Sequence, residues 1–227
     1  MRASRDERRI RVGEPQHLGD APEQEEPMDV FEAIATTRAM RRLDPRRDVA
    51  DADIMRIVEA ATKAATGGNS QPVRWLVVKD VDKRRRLGEI YRRSWAPVRE
   101  LYAGRTDTSP GTARVLSSAD HLGDHMGEAP VIILPCSSGK PGEAESSVFP
   151  GVQNLFLAAR ALGLGTTLTT VHRLHEDEVR AVLDIPAEVN TWAMIPVGYP
   201  LGTWGEAKRR PVHEVTYWDT WRVAPPI

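Results

Sequence analysis

Cysteine is almost missing from this 227-residue chain: Cys136 stands alone. No intrachain disulfide can form, and such usage fits a reducing compartment. Long apolar runs are also absent, and none approaches the ~20 residues that a bilayer-spanning helix needs. Charge of one sign is lacking too. The 31 Lys and Arg face 32 Asp and Glu, for a formal net charge of -1, whereas a nucleic-acid partner calls for a basic excess. No G-x-S-x-G elbow, Walker loop or G-x-G-x-x-G fingerprint occurs. Residues 1–27 open with several arginines but have no apolar stretch behind them, so they do not read as a signal peptide. They turn acidic at Glu23, Glu25 and Glu26 and are expected to form a flexible N-terminal extension. A single domain with a well-buried core is expected over 28–227. The expected location is cytoplasmic, with no nucleic-acid or membrane partner.

Apolar periodicity places the elements. Val30, Phe31, Ile34 and Ala35 predict a helix from Met28 to about Arg38, and Pro45 should lie beyond its end. Ile54, Ile57, Val58, Ala61 and Ala65 predict a second from Asp51, its expected N-cap, to Ala65,. The run Thr66-Gly67-Gly68-Asn69-Ser70-Gln71-Pro72 is too rich in Gly, Asn and Pro to stay regular,. A strand over 73–78, a helix over 82–93 and a strand over 130–135 follow. Between Ser94 and Gly127 the pattern predicts helices broken by a mobile loop, forming much of a substrate pocket. The strongest helical stripe runs from Phe149 to Leu162, with Gly163 and Gly165 suited to its cap,. A Thr-rich strand over 166–171, a helix over 176–183 and a strand over 192–197 complete the order. Clustered helices between non-consecutive strands argue for α+β.

Four segments are odd as pure structure. Arg38 and Arg42 are four apart and would share a face of a continuing helix, where two guanidinium groups suit a phosphate between them. A solvated basic helix end is the simpler alternative. The glycines of the Thr66–Pro72 loop would let backbone approach a flat ligand, though an ordinary connection looks the same. Leu168-Thr169-Thr170 follows a Gly-rich turn, yet Thr is also a good strand residue. Lys208-Arg209-Arg210 could close on a phosphate or simply be solvated. His121 and His125 have a metal-compatible spacing but no evident third ligand, so no metal is expected, and Cys136 is expected to pack.

Taken in order, these segments resemble the nitroreductase family of flavoproteins along nearly the whole chain after residue 28. The matching text is Thr37-Arg38-Ala39-Met40-Arg41-Arg42 and Thr66-Gly67-Gly68-Asn69-Ser70-Gln71-Pro72. Asn154-Leu155-Phe156-Leu157-Ala158-Ala159 follows, leading into Gly163-Leu164-Gly165-Thr166. Pro196-Val197-Gly198-Tyr199-Pro200 and the basic cluster before Pro211 close the set.

The resemblance implies an α+β nitroreductase-like fold, with an antiparallel-dominated central sheet flanked by helices, in an intertwined homodimer holding FMN at its interface. It assigns Arg38, Ala39, Met40 and Arg42 to the FMN phosphate and ring, with Arg209 and Lys208 completing the phosphate site. Arg42 is the expected cation near flavin N1/O2. Thr66 would touch the flavin, and Gly68 and Asn69 would lie beside the ring where substrate stacks. Leu168, Thr169 and Thr170 would face flavin N5. NADPH or NADH would donate hydride, and nitroaromatics, quinones or related electron-poor molecules would accept it, with no side chain assigned as acid or base. Met40 replaces a frequent serine of the family and Val73 a frequent tryptophan. Two alternatives stay open: a specialised flavin reaction such as reductive dehalogenation or flavin breakdown, and an FMN-storing or FMN-sensing protein without turnover.

Overall fold

The strand β2 (Val131–Ser138) is buried on both faces for all but its last residue. That is why it reads as an unbroken apolar run with no alternation. The computed structural model describes residues 28–104, 109–138 and 144–226, so the expected extension over 1–27 lies outside the described residues. Along one edge β2 pairs with β1 (Arg74–Val78), in a register that sets Val78 against Ile132 and Arg74 against Cys136. Along the other it pairs with β4 (Val189–Thr191) and β5 (Ile195–Gly198), and β5 in turn holds the two-residue β3 (Gly165–Thr166). All these pairings are antiparallel, in the order β1-β2-β5-β3 with β4 branching from β2.

Because side chains alternate across a strand, β2 feeds two cores. Val131 and Ile133 join Ile54, Ile57, Val152 and Leu155, from α2 (Asp51–Thr62) and α5 (Glu145–Ala161). Ile132, Leu134 and Cys136 join Leu87, Leu122 and Val179, from α3 (Val81–Ala103), α4 (Pro110–His125) and α6 (Glu176–Leu183). Each fully buried aliphatic side chain contributes roughly 1.5–3 kcal/mol of transfer free energy. The result is a helix–sheet–helix sandwich, the α+β architecture that the sequence predicts. Among the described residues, no helix is long and apolar enough to cross a membrane.

Several boundaries differ from expectation for local reasons. The first helix, α1 (Val30–Thr36), stops before the basic segment, because Thr37 turns extended at φ -64, ψ 124. Ala50 precedes α2 without a side-chain cap, and Asp51 accepts from Lys79 Nζ at 2.8 Å instead. Pro97 does not end α3, which runs to Ala103. The turn-like Ser109-Pro110-Gly111 starts α4: Ser109 Oγ accepts from Thr112 N–H and Pro110 occupies the first turn, where its missing N–H costs nothing. The expected strand over 166–171 is β3 alone, followed by a loop and a 3-10 turn at Val171–His175. Of the expected strand over 192–197, only the second half is strand, within β5, while β4 lies just before it. Gly163 takes φ +70 just past α5, the conformation a glycine there supplies.

Candidate functional site

The segment after α1 is extended, and this decides where its arginines point. Ala39 bridges Thr166 in parallel and Leu43 bridges Pro200. Met40 N–H donates to Thr166 O at 2.9 Å, and Leu201 N–H to Arg42 O at 2.9 Å. Residues 38 to 43 thus run as an edge beside β3 and β5, with period two instead of the helical period. The helix-face argument for Arg38 and Arg42 therefore does not hold. Met40 is buried against Gly165, where an added Cβ would come within 2.7 Å of the Met40 Cβ. Its side chain packs inward and lines neither of the two cavities described below.

Arg41, and not Arg42, lines the main cavity. This cavity of about 580 Å³ is lined also by Tyr91, Trp95 and Tyr102 of α3, Leu116 of α4, and the Leu168–Thr170 loop. Burial is the main influence on its guanidinium and pulls it below the usual arginine range, with Tyr91 and Tyr102 acting in the opposite sense. No carboxylate among the described residues pairs with it. Arg42 is exposed and turns the other way, its Nη1 3.1 Å from His121 Nδ1. His121 stacks on His125 at 4.1 Å. Burial, then His125 and Arg42, hold His121 below the usual imidazole range. Among the described residues, no group of His, Cys, Asp and Glu is placed to hold a metal ion.

The cavity wall is built by helix contacts. Trp95 Nε1 donates to Asp120 Oδ1 at 2.8 Å, and the indole lies directly on Gly123, leaving no room for a larger residue. The Trp95 and Tyr102 rings are 6.0 Å apart and inclined by 29°. Tyr91, Trp95 and Tyr102 share one stripe of α3. The sequence carried that signal, but ending the helix at Arg93 hid it.

Of the remaining expected residues, Leu168, Thr169 and Thr170 border this cavity. Arg38, Lys208 and Arg209 are exposed and come near one another through the backbone. Ala207 N–H donates to Ala35 O at 3.1 Å, and the Arg38 guanidinium lies beside Gly205. No ion pair engages these three cations among the described residues. Thr66 is not brought to the large cavity. It lines a separate one of about 200 Å³ with Gln71, Trp75, Ser147 and Gly151. Its loop is held by Gly67 N–H donating to Ser147 Oγ at 3.1 Å and Gln71 N–H to Thr66 Oγ1 at 3.0 Å. Gly68, Asn69 and Gln71 all adopt positive φ, at 56°, 54° and 47°, a strained arrangement for the two non-glycine residues. Cys136 is buried, and burial pushes its thiol up to about 12, so it packs and is not a nucleophile.

The sequence model of the nitroreductase family matches residues 34–199. The chain belongs to the nitroreductase family. Relatives within it are distant and differ in activity. A candidate NADH dehydrogenase/NAD(P)H nitroreductase of Methanothermobacter thermautotrophicus is 27% identical, covering 76% of this chain and 78% of its own. An iodotyrosine deiodinase of Thermotoga neapolitana is 28% identical, covering 76% and 87%. Among solved structures, iodotyrosine deiodinase bound to FMN and 3-iodo-L-tyrosine superposes with a TM-score of 0.70 at 23% identity, over 85% of this chain and all of the other. That likeness establishes the nitroreductase-like fold.

Proposed function

We propose that this nitroreductase-family protein is an FMN-dependent oxidoreductase. It takes hydride from NADPH or NADH and passes it to nitroaromatics, quinones or similar electron-poor acceptors, as a cytoplasmic homodimer. The observation that carries the reading is the cavity in which a half-buried Arg41, without a carboxylate partner, meets Leu168–Thr170 beneath an aromatic wall. A desolvated, unneutralised cation is costly unless a ligand supplies the charge. The three unpaired cations Arg38, Lys208 and Arg209 suit a phosphate in the same way.

These residues fit a flavin mononucleotide. Arg38, Lys208 and Arg209 would hold its phosphate, Ala39 would pass beside it as backbone, and Arg41 would take the electron-rich edge of the ring in place of Arg42. When bound, FMN would supply two-electron transfer between nicotinamide and acceptor. Arg41 would favour the anionic reduced form by its charge, acting in a site where water screens it little. Leu168 and Thr170 would border the reacting face, while Trp95, Tyr102 and Leu116 would exclude water and stack an aromatic acceptor. Thr66, Gly68 and Asn69 would act on the site of a second copy, which accounts for their distance from the cavity of their own chain.

Reductive dehalogenation is the second reading. It is favoured by the deiodinase relative and by the Thr169-Thr170 pair bordering the cavity. An absorbance spectrum of the purified, FMN-reconstituted protein, taken without oxygen before and after NADPH, tests the first reading. Flavin bands that bleach, then recover on adding a nitroarene or quinone, are expected. A protein that takes up no FMN overturns it. Recovery with a halogenated phenol alone shifts the assignment to dehalogenation.

A further inference from the structure

We propose that Arg160 is a positioning residue that locks the two segments carrying Arg38 and Lys208–Arg209 into one preformed anion site. The inference rests on the flavin reading above and deepens it. Arg160 stands in the last turn of α5 with only 9% of its surface exposed, a rare place for a guanidinium unless it is fully engaged. It is engaged on three sides. Its Nε donates to Thr36 Oγ1 at 2.8 Å, its Nη2 lies 3.8 Å from Glu32 Oε1, and its Cζ sits 4.4 Å from the centre of the Trp204 ring.

Each contact reaches a segment that leads to a cation. Thr36 is the last residue of α1, just ahead of Arg38. Trp204 opens the strap that continues through Gly205, beside the Arg38 guanidinium, and through Ala207, bonded to Ala35, into Lys208 and Arg209. Arg38, Lys208 and Arg209 are exposed, whereas the Arg160 guanidinium is buried and already taken up by Thr36, Glu32 and Trp204. Its part is therefore to hold other residues in place and not to touch the ligand. Arg38, Lys208 and Arg209 repel one another when no anion lies between them. Without a clamp, the strap would be free to separate from α1, and ligand binding would bear the cost of ordering it. The residue types match the task. A planar guanidinium stacks on an indole while donating from its edge, and a lysine ammonium cannot do both.

The test compares FMN with riboflavin, which is the same ring without the phosphate, by flavin-fluorescence titration. It uses the full chain, with Arg160→Lys, Trp204→Leu and the double variant. The wild type should bind FMN in preference to riboflavin. Each single variant should lose roughly tenfold in FMN affinity while riboflavin affinity stays within about twofold. The double variant should be no more than about twofold worse than the poorer single one, because both break one clamp. Trp204 lies outside both core clusters, so Trp204→Leu carries the test even where Arg160→Lys fails to fold. Unchanged FMN affinity in Trp204→Leu overturns the proposal, as does a parallel loss for FMN and riboflavin. A wild type that binds both flavins equally removes the phosphate site itself, and one that binds neither removes the flavin reading.

Discussion

Thr169 and Met194 hold each other by two reciprocal bonds: the Thr169 hydroxyl donates to Met194 O at 2.6 Å, and Met194 N–H donates to Thr169 O at 2.9 Å. The pair fastens the loop beside the cavity to the entry of β5, so the loop's position is inherited from the sheet. Tyr91 adds a third tie. Burial pushes its phenol up to about 12, and a side-chain hydrogen bond with Thr169 acts in the opposite sense. With its hydroxyl committed inward, Thr169 supports the loop, while Thr170 is left exposed beside the cavity.

Replacing Thr169 by Val should therefore read out first as stability. The variant strands the buried Met194 carbonyl and the Tyr91 hydroxyl, at a cost of about 1–3 kcal/mol for an unsatisfied group. Thr169→Ser, which keeps the hydroxyl, should recover most of it. Urea denaturation of the flavin-free protein measures both, and a Val variant as stable as the wild type would show that the clamp carries no weight.

Arg41 and Arg42 separate cleanly in kinetics if the cavity is the reaction site. Arg41→Leu removes the only charged side chain among the described residues lining it. It should lower kcat/KM for NADPH-dependent acceptor reduction by roughly 100-fold, the usual loss when a preorganised electrostatic partner is deleted. Arg42→Leu removes a contact to His121 outside that cavity and should cost less than about tenfold. Equal losses, or a larger one at Arg42, would restore the assignment read from sequence.

That Arg41 faces the cavity while Arg42 meets His121 shows where the sequence was legible and where it was not. Composition and periodicity placed the buried β2 run, the α2 and α5 stripes and the α6 span, because each element reports its own period. The end of α1 depended on pairing that no local pattern encodes. Ala39 and Leu43 bridge partners more than a hundred residues away, and those bridges convert a helical phase into an extended one. The same non-local pull delays the expected strand over 192–197 until Ile195, since Met194 turns aside to bond Thr169. Tyr91, Trp95 and Tyr102 were legible as a stripe, but the expected helix ended at Arg93, before Trp95 and Tyr102. The helix runs on to Ala103 through Pro97, and Trp95 is anchored to Asp120 and Gly123 of α4.

His172 should make stability depend on mild acid. It is fully buried in the 3-10 turn after the cavity loop. Its Nε2 lies 3.0 Å from Thr191 Oγ1 and 3.3 Å from Thr191 O, and its Nδ1 has no partner. The Thr191 hydroxyl donates to Glu176 Oε1, so the ring acts as the donor toward Thr191 and stays neutral. Burial lowers its pKa to about 4, against an ordinary 6.5. The unfolded chain therefore binds a proton that the native chain refuses. The stabilising contribution is complete above about pH 6.5 and is lost as pH falls toward 4, up to roughly 3 kcal/mol. His172→Gln keeps a donor without the titration. Its stability should fall less between pH 6.5 and pH 4.5 in urea melts, and an identical acid loss in both proteins would assign the effect elsewhere.

Association should be the property most sensitive to Phe31. Val30, Phe31 and Ile34 of α1 are 55%, 75% and 54% exposed, an apolar face with nothing from this chain covering it among the described residues. The C-terminal strap adds Val212 and Trp221 at 74% and 77% exposed. Apolar side chains presented this openly mark an interaction surface, and a second copy is the partner that the proposed shared site requires. A two-fold interface repeats every residue, so one substitution acts twice. If Phe31 contributes about 2 kcal/mol as a buried anchor, Phe31→Glu removes roughly 4 kcal/mol from the dimer, a loss of about a thousandfold in association. Sedimentation of the wild type at micromolar concentration should give twice the 25.2 kDa chain mass, and Phe31→Glu should sediment as a monomer. FMN affinity should fall together with dimerisation, because the Thr66–Asn69 loop of the second copy would be withdrawn. A monomeric wild type that still binds FMN tightly would mean that one chain builds the whole site, and the distant Thr66 loop would then need another role.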